Sequence, residues 1–387
     1  MPSFAPTILD TPDPAIPTVR AWAARYHGRN GPALDLTQAV PGYPPHPELL
    51  SRLAEAAGSR DAAGYGPIAG DPVLREALAG DAVRFYGGDI SAGEVAITAG
   101  CNLAFAMAAK VVAAPGDNML VPTPWYFNHQ MTLNMAGIEA RPLPCRAEEG
   151  FVPDPARAAA LIDGRTRAIL LVTPNNPTGA VYSAEVIRAF AELARRRGIW
   201  LILDETYRDF LTEAESPPHA LFSDPAWRDG LVHLYSFSKA YCVPGHRLGA
   251  VIAGEAFQRQ LAKAIDSLQI CPARAGQQAV AWAVEALRDW RAGNRAIMAE
   301  RAAACRAALD DGSIDAMGSY FAYVRLPDGA PEAERAAEIL AVEKGLLCLP
   351  GSFFGPGQER HLRLAFANAE AERLAELPVR LAGLAIS

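Results

Sequence analysis

Residues 232–249 read VHLYSFSKAYCVPGHRLG. Val232–Tyr235 is an apolar run of strand length. Lys239 follows it directly, with Ser236 at −3, Ser238 at −1 and Arg247 at +8. A lysine just past a buried strand faces the crevice in which open α/β sheets bind ligands. An amine there can bond a carbonyl carbon. Two hydroxyls and a guanidinium beside it suit a phosphate, which arginine grips bidentately. A lone lysine in such a loop is ordinarily a surface residue, so the neighbours matter. So does scarcity: lysine occurs only at 110, 239, 263 and 344, and the other 32 of the 36 basic residues are arginine.

Three more segments share that placement. Residues 200–210 read WLILDETYRDF, so Asp204 ends an apolar strand and Tyr207 lies three residues on. A carboxylate there could pair with a pyridine nitrogen and keep it protonated; it could also simply cap a helix. Residues 173–179, TPNNPTG, form a turn by composition after another strand, which leaves the direction of Asn176 open. Residues 95–114, VAITAGCNLAFAMAAKVVAA, give strand, glycine, then helix. The free N–H groups of such a helix start bind phosphate, although every βαβ unit has such a turn. Residues 64–70, GYGPIAG, lack GxGxxG spacing and follow no strand, so no dinucleotide fingerprint is present.

Working outward, β-like runs fall at Val95–Thr98, Asn118–Val121, Glu139–Leu143, Ala168–Val172, Trp200–Leu203, Val232–Tyr235 and Ala250–Ala253. Helical patterns at Leu103–Ala113, Phe127–Met135 and Ala184–Arg197 alternate with them. This predicts an α/β domain whose mainly parallel sheet is flanked by helices and covered on both faces. Beyond about residue 255 the pattern changes to long helices, Ala256–Leu268, Gly276–Leu309 and Glu332–Glu343, around β candidates Tyr320–Arg325 and Leu362–Ala365. A smaller α/β domain is expected there. The proline-rich residues 1–45, helical only near Val19–Tyr26, are expected to pack on it. The expected division is a large domain over 46–275 and a small domain over 1–45 and 276–387.

Composition excludes several classes. The chain has 387 residues and a net charge of −7, which argues against a general nucleic-acid binder. Apolar runs stay well short of the roughly 18 residues of a membrane helix, and the first residues show no signal-peptide pattern. Six cysteines without a CxxC pair and seven histidines without HExxH read as reduced thiols and no metal site. A cytoplasmic protein is expected, with neither membrane nor nucleic acid as partner.

Taken together, NNPTG, DETY, SFSK with arginine eight residues on, and RLAFA at 363–367 make the chain resemble the fold-type I pyridoxal-phosphate enzymes. Within them it is similar to the class I/II aminotransferases of the aspartate aminotransferase superfamily. The likeness runs from LTQAVPGYPP at 36–45 to RLAFA. It implies pyridoxal 5'-phosphate as cofactor and transfer of an amino group between an α-amino acid and a 2-oxo acid by a ping-pong cycle. The implied specificity is aspartate/aromatic or broad.

The resemblance also implies roles. Lys239 would bond the cofactor and move the proton, and Asp204 would pair with the ring nitrogen. Tyr207 and Asn176 would hydrogen-bond the ring oxygen. Ser236, Ser238, Arg247 and the amides near Gly100, Cys101 and Asn102 would hold the phosphate. Tyr126 would stack on the ring, with Trp125 or a core position for Tyr126 as alternatives. His129 would support the aspartate. Tyr65 would reach the phosphate of the neighbouring subunit of a homodimer. Arg363 would clamp the substrate carboxylate in a substrate site shared with Asn176, Ala39 and Val40. Gln38–Ala39–Val40–Pro41 replaces a glycine usual before the substrate loop. The arginine that grips a second carboxylate in aspartate enzymes has no clear match, with Arg274 a possible substitute. A carbon–sulfur lyase, decarboxylase or cyclase on the same fold is the alternative. A ligand-sensing module of a transcription regulator would need a basic domain ahead of the fold, which is expected to begin within the first ~45 residues.

Overall fold

The computed structural model describes residues 2–384; residue 1 and residues 385–387 of the expected small domain lie outside the described residues. Seven strands form the main sheet: β1 (Val95–Thr98), β2 (Asn118–Thr123), β3 (Glu139–Pro144), β4 (Thr166–Val172), β5 (Trp200–Asp204), β6 (Leu231–Ser236) and β7 (Gly249–Ala253). Their order is β1-β7-β6-β5-β4-β2-β3. β7 runs antiparallel to both its neighbours and the other pairs are parallel. All seven strands stand where the apolar runs place them.

Alternation along the strands divides the core. Ile169, Leu171, Leu201 and Leu203 join one apolar cluster. Leu170, Val172, Ile202 and Leu234 join the cluster on the other face, with Cys101 and Phe105. Helices cover both faces, so successive residues of the central strands are buried, apart from Arg167 and Trp200 near their starts. β3 departs from the two-sided rule. It is an edge strand, mostly half-exposed, and Pro142 and Pro144 blunt it against further pairing.

The second layer is a four-stranded antiparallel sheet of β8 (Ile314–Gly318), β9 (Phe321–Arg325), β10 (Leu349–Pro350) and β11 (His361–Leu364), in the order β10-β11-β9-β8. Leu34–Asp35 pairs parallel with Leu346–Leu347. The N-terminal helix spans Ala15–Ala23, four residues ahead of its expected start. It packs on the strands of this layer, whereas the short helix Pro6–Leu9 lies on Phe127–Met135 of the large layer. The expected helix Gly276–Leu309 is two helices, Arg274–Ala286 and Arg288–Ala307, broken at Leu287. Neither glycine nor proline marks that break. Leu287 is buried, and the two helices then serve different cores.

Gly249 pairs with Thr98 on one side and Ser236 on the other. A Cβ there would stand 2.5 Å from the Cys101 nitrogen and the Gly100 carbon. Backbone cannot move aside as a side chain can, so the start of the helix Cys101–Val112 lies this close to the sheet only over glycine. Gly249→Ala is expected to lower stability by roughly 1–3 kcal/mol, as overpacking does, measured by urea unfolding.

Candidate active site

The carboxyl ends of β4, β5 and β6 open into a cleft of about 280 Å³. Lys239 reaches it from the short helix Phe237–Ala240, for which the Ser236 side chain is the N-cap, accepting from the Ser238 N–H at 3.3 Å. The Lys239 Nζ donates to the Ala39 carbonyl at 2.5 Å and lies 6.0 Å from the centre of the Tyr207 ring. Burial, with the charges of Arg247 and Arg363, pulls its ammonium down from 10.5 to about 8.

Asp204 is buried at the end of β5. His129 Nε2 stands 3.2 Å from its Oδ2, and the Thr206 N–H donates to its Oδ1 at 3.0 Å. Burial alone would raise this carboxyl; the hydrogen bond and charge of His129, together with Thr206, more than offset it and hold it below the usual carboxylate range. The Cys101 thiol contacts the same carboxylate at 3.8 Å and is pushed up by burial and by that charge, which leaves it an unreactive thiol. Burial likewise raises the Tyr207 phenol, so it remains a neutral donor.

At the other end of the cleft, Arg363 of β11 is buried. It donates to Asn176 Oδ1 at 3.1 Å and to the Thr37 carbonyl, and it lies over the Phe321 and Phe354 rings. Burial brings its guanidinium down to about 10. Its Nε is buried without a partner. Across from it, Gly100 (φ +89°) is the N-cap of the helix Cys101–Val112. A Cβ there would run into the Arg247 guanidinium. Arg247 holds a left-handed backbone (φ +51°) and bonds the Pro244 carbonyl at 2.9 Å.

The cleft thus gathers Lys239, Asp204, Tyr207, Asn176, Cys101, Asn102, Tyr126, Ser236, Ser238, Arg247, Ala39, Val40 and Arg363 from distant parts of the chain. Gly100 is not among the lining residues and lies under Arg247, which is. Tyr65 does not line it and is 82% exposed. Arg274 also lies outside, bonded to Asp71 and Asp61 at 3.1 Å each, so within one chain it is no substitute for a second carboxylate grip.

The sequence profile of "Aminotransferase class I and II" matches residues 32–381. The chain belongs to this family. An aspartate/prephenate aminotransferase of Thermus thermophilus is 31% identical over 87% of this chain and 88% of its own. An arginine–pyruvate transaminase of Pseudomonas aeruginosa is 30% identical over 82% of this chain and 81% of its own. The structure of a Thermus thermophilus aspartate aminotransferase with maleate superposes with a TM-score of 0.89 at 27% identity, covering 99% of this chain and 100% of that one. The chain is a pyridoxal 5'-phosphate-dependent aminotransferase, and the lyase alternative is not favoured.

This aminotransferase's cleft fits the cofactor. A buried carboxylate and an amine share one cavity, and a glycine cradle under Arg247 supplies unpaired helix N–H groups of the kind that hold phosphate. Sequence reading missed Thr37, Gln38, Asn128, Thr206 and Ile16, which also line the cleft. Asn128 could have been found beside Tyr126 and His129; its amide donates to the Tyr126 hydroxyl at 2.9 Å. Ile16 gives no local signal, because only tertiary packing brings it here.

The unfolded chain holds the Lys239 proton up to about 10.5, while the folded, cofactor-free protein releases it near 8. Below pH 8 folding therefore carries a penalty that fades as pH rises to about 10.5. Lys239→Met is expected to be more stable than the parent at pH 7, with the gap closing by pH 10.5. Urea midpoints of the two cofactor-free proteins across that range check this, and a constant gap would contradict it.

Proposed function

We propose that the residues of this cleft divide one transamination cycle among them. What carries the reading is Lys239 Nζ, an amine lowered to about 8, in the same cavity as the buried Asp204 carboxylate and the Arg363 guanidinium. Pyridoxal phosphate, when bound, supplies the aldehyde that accepts the amino group and an electron sink for the substrate's Cα. Asp204, kept ionised by His129 and Thr206, pairs with the ring nitrogen. Ser236, Ser238, Arg247 and the amides of Gly100, Cys101 and Asn102 would hold the phosphate, and Tyr126 would stack on the ring. Tyr207 and Asn176 donate toward the ring oxygen. Arg363 binds the α-carboxylate fork to fork, beside Ala39 and Val40. Lys239 secures the cofactor at rest. Once freed, its amine would take up and hand on the proton of the substrate's Cα.

The proposal includes a cytoplasmic homodimer. Six free cysteines fit a reducing compartment. Leu50, Tyr65, Ile68, Val73 and Ile270 are large apolar residues left exposed. They belong to segments that meet around one helix: Pro47–Ala57 and Pro72–Tyr86 pack on Arg274–Ala286, and the Gly66 N–H donates to Cys271 Sγ at 3.4 Å. Exposed apolar residues on neighbouring segments would suit an association surface, from which Tyr65 would reach the partner's phosphate. The two-domain division is proposed with its second break at Leu287, since Ala279–Val284 belong to the core of the large layer.

Lys239→Ala is expected to lower turnover by at least about 10³-fold, the scale of a lost proton carrier. The assay follows the 2-oxo acid formed from an amino acid and the aminated cofactor left behind in a single turnover. Ammonia, carbon dioxide or a thiol released with the cofactor unchanged would contradict the reaction. Sedimentation of the active enzyme as a monomer would contradict the dimer.

A further inference from the structure

The family leaves the substrate's side chain open, since relatives are named for aspartate, prephenate and arginine. The cleft's own charges narrow it. Among the described residues, its lining carries three cations, Lys239, Arg247 and Arg363, and one anion, Asp204. Under the proposed function all four are committed: amine, phosphate grip, α-carboxylate grip and ring-nitrogen partner. Arg20 meets the lining only through Gln38 Oε1 at 3.2 Å; it is half-exposed and stands 3.8 Å from Asp35.

The wall left over carries no charge, and its large apolar members stand together on one side. Ile16 and Phe127 both line the cleft and both pack on one apolar cluster that includes Ala15, Val19, Leu349 and Phe354. Ile16 is fixed by its helix, Ala15–Ala23, which lies on the strands of the small layer. Phe127 meets Phe354 with ring centroids 5.6 Å apart. The neutral Asn128 beside them already donates to Tyr126. A carboxylate, ammonium or guanidinium placed against this wall would lose water and gain no opposite charge, which is costly. An apolar side chain placed there gains by leaving water.

We infer that this aminotransferase takes α-amino acids with neutral, apolar or aromatic side chains, seated against Ile16 and Phe127, and discriminates against both acidic and basic ones. The inference rests on the proposed function, and its test separates the two. The holoenzyme's visible absorbance band is followed as it bleaches with L-leucine, L-methionine, L-phenylalanine, L-aspartate or L-arginine in turn. The neutral amino acids are expected to bleach it with a second-order constant at least about 100-fold above those for aspartate and arginine, the upper range for one pocket's discrimination. Aspartate or arginine matching the neutral set would overturn the inference and leave transamination standing, with the missing charge supplied by the partner subunit. Bleaching by none of them, with ammonia, carbon dioxide or a thiol released, would overturn the proposed reaction and the inference with it. Ile16→Arg places a cation on the wall. It is expected to raise the aspartate-to-phenylalanine ratio of these constants by about 10-fold or more, with the cofactor band retained as the check on folding. An unchanged ratio in a folded variant would overturn the assignment of this wall to the side chain.

Discussion

The structure turns on a buried carboxylate that stays charged. Asp204 ends β5 with almost no exposure, yet it is held below the usual carboxylate range by His129 and Thr206. His129 comes from the helix Phe127–Met135 and rests on the Phe105 ring, 4.2 Å between centroids. Two helices are therefore committed to one charge. The next residue is handled in the same way on the opposite face, as strand geometry requires. Glu205 accepts from Tyr86 at 2.5 Å, from His233 at 2.9 Å and from His219 at 3.1 Å. Burial would raise this carboxyl too, and the two histidines hold it low. The His219 Nδ1 accepts the Leu221 N–H, so its Nε2 carries the proton toward Glu205. Two consecutive buried carboxylates are thus held ionised at the end of β5, Glu205 through one oxygen tied to His233 of β6.

Distant segments meet at this end of the sheet. Lys239, just past the end of β6, lies in a cation-rich cleft, and burial with the charges of Arg247 and Arg363 brings its amine toward neutrality. Close approach decides two glycines there: Gly249 lies against the backbone of Gly100 and Cys101, and Gly100 lies under the Arg247 guanidinium. Arg363 arrives from the second layer, where β11 is gripped between β9 and β10. Its bond to Asn176 crosses between the layers. The cleft is thus built from rigid strand ends, with polar groups committed before any ligand enters.

Much of this was legible in the sequence because the signals were local. Each strand of the main sheet announces itself as a short apolar run, and Asp204, Asn176 and Lys239 all follow such runs. The antiparallel β7 was not legible, since strand direction depends on where the chain returns. The break at Leu287 was hidden for a related reason: apolar periodicity continues through it, and only the change of packing partner shows. The short strands Leu346–Leu347 and Leu349–Pro350 carry too few residues to show a period. The contact of Ile16 with the cleft is long-range and leaves no trace in spacing. Arg274 misled because a basic residue at a suggestive position says nothing of its partners, which are Asp61 and Asp71.

Under the proposed function Asp204 remains a carboxylate and would keep the bound ring nitrogen protonated. The direct measurement is the ¹⁵N chemical shift of ring-labelled pyridoxal phosphate in the reconstituted enzyme, recorded from pH 6 to pH 9. A protonated-nitrogen shift is expected that does not move across the range and that is lost in Asp204→Asn. A shift that titrates within the range, or one that survives the substitution unchanged, would contradict it.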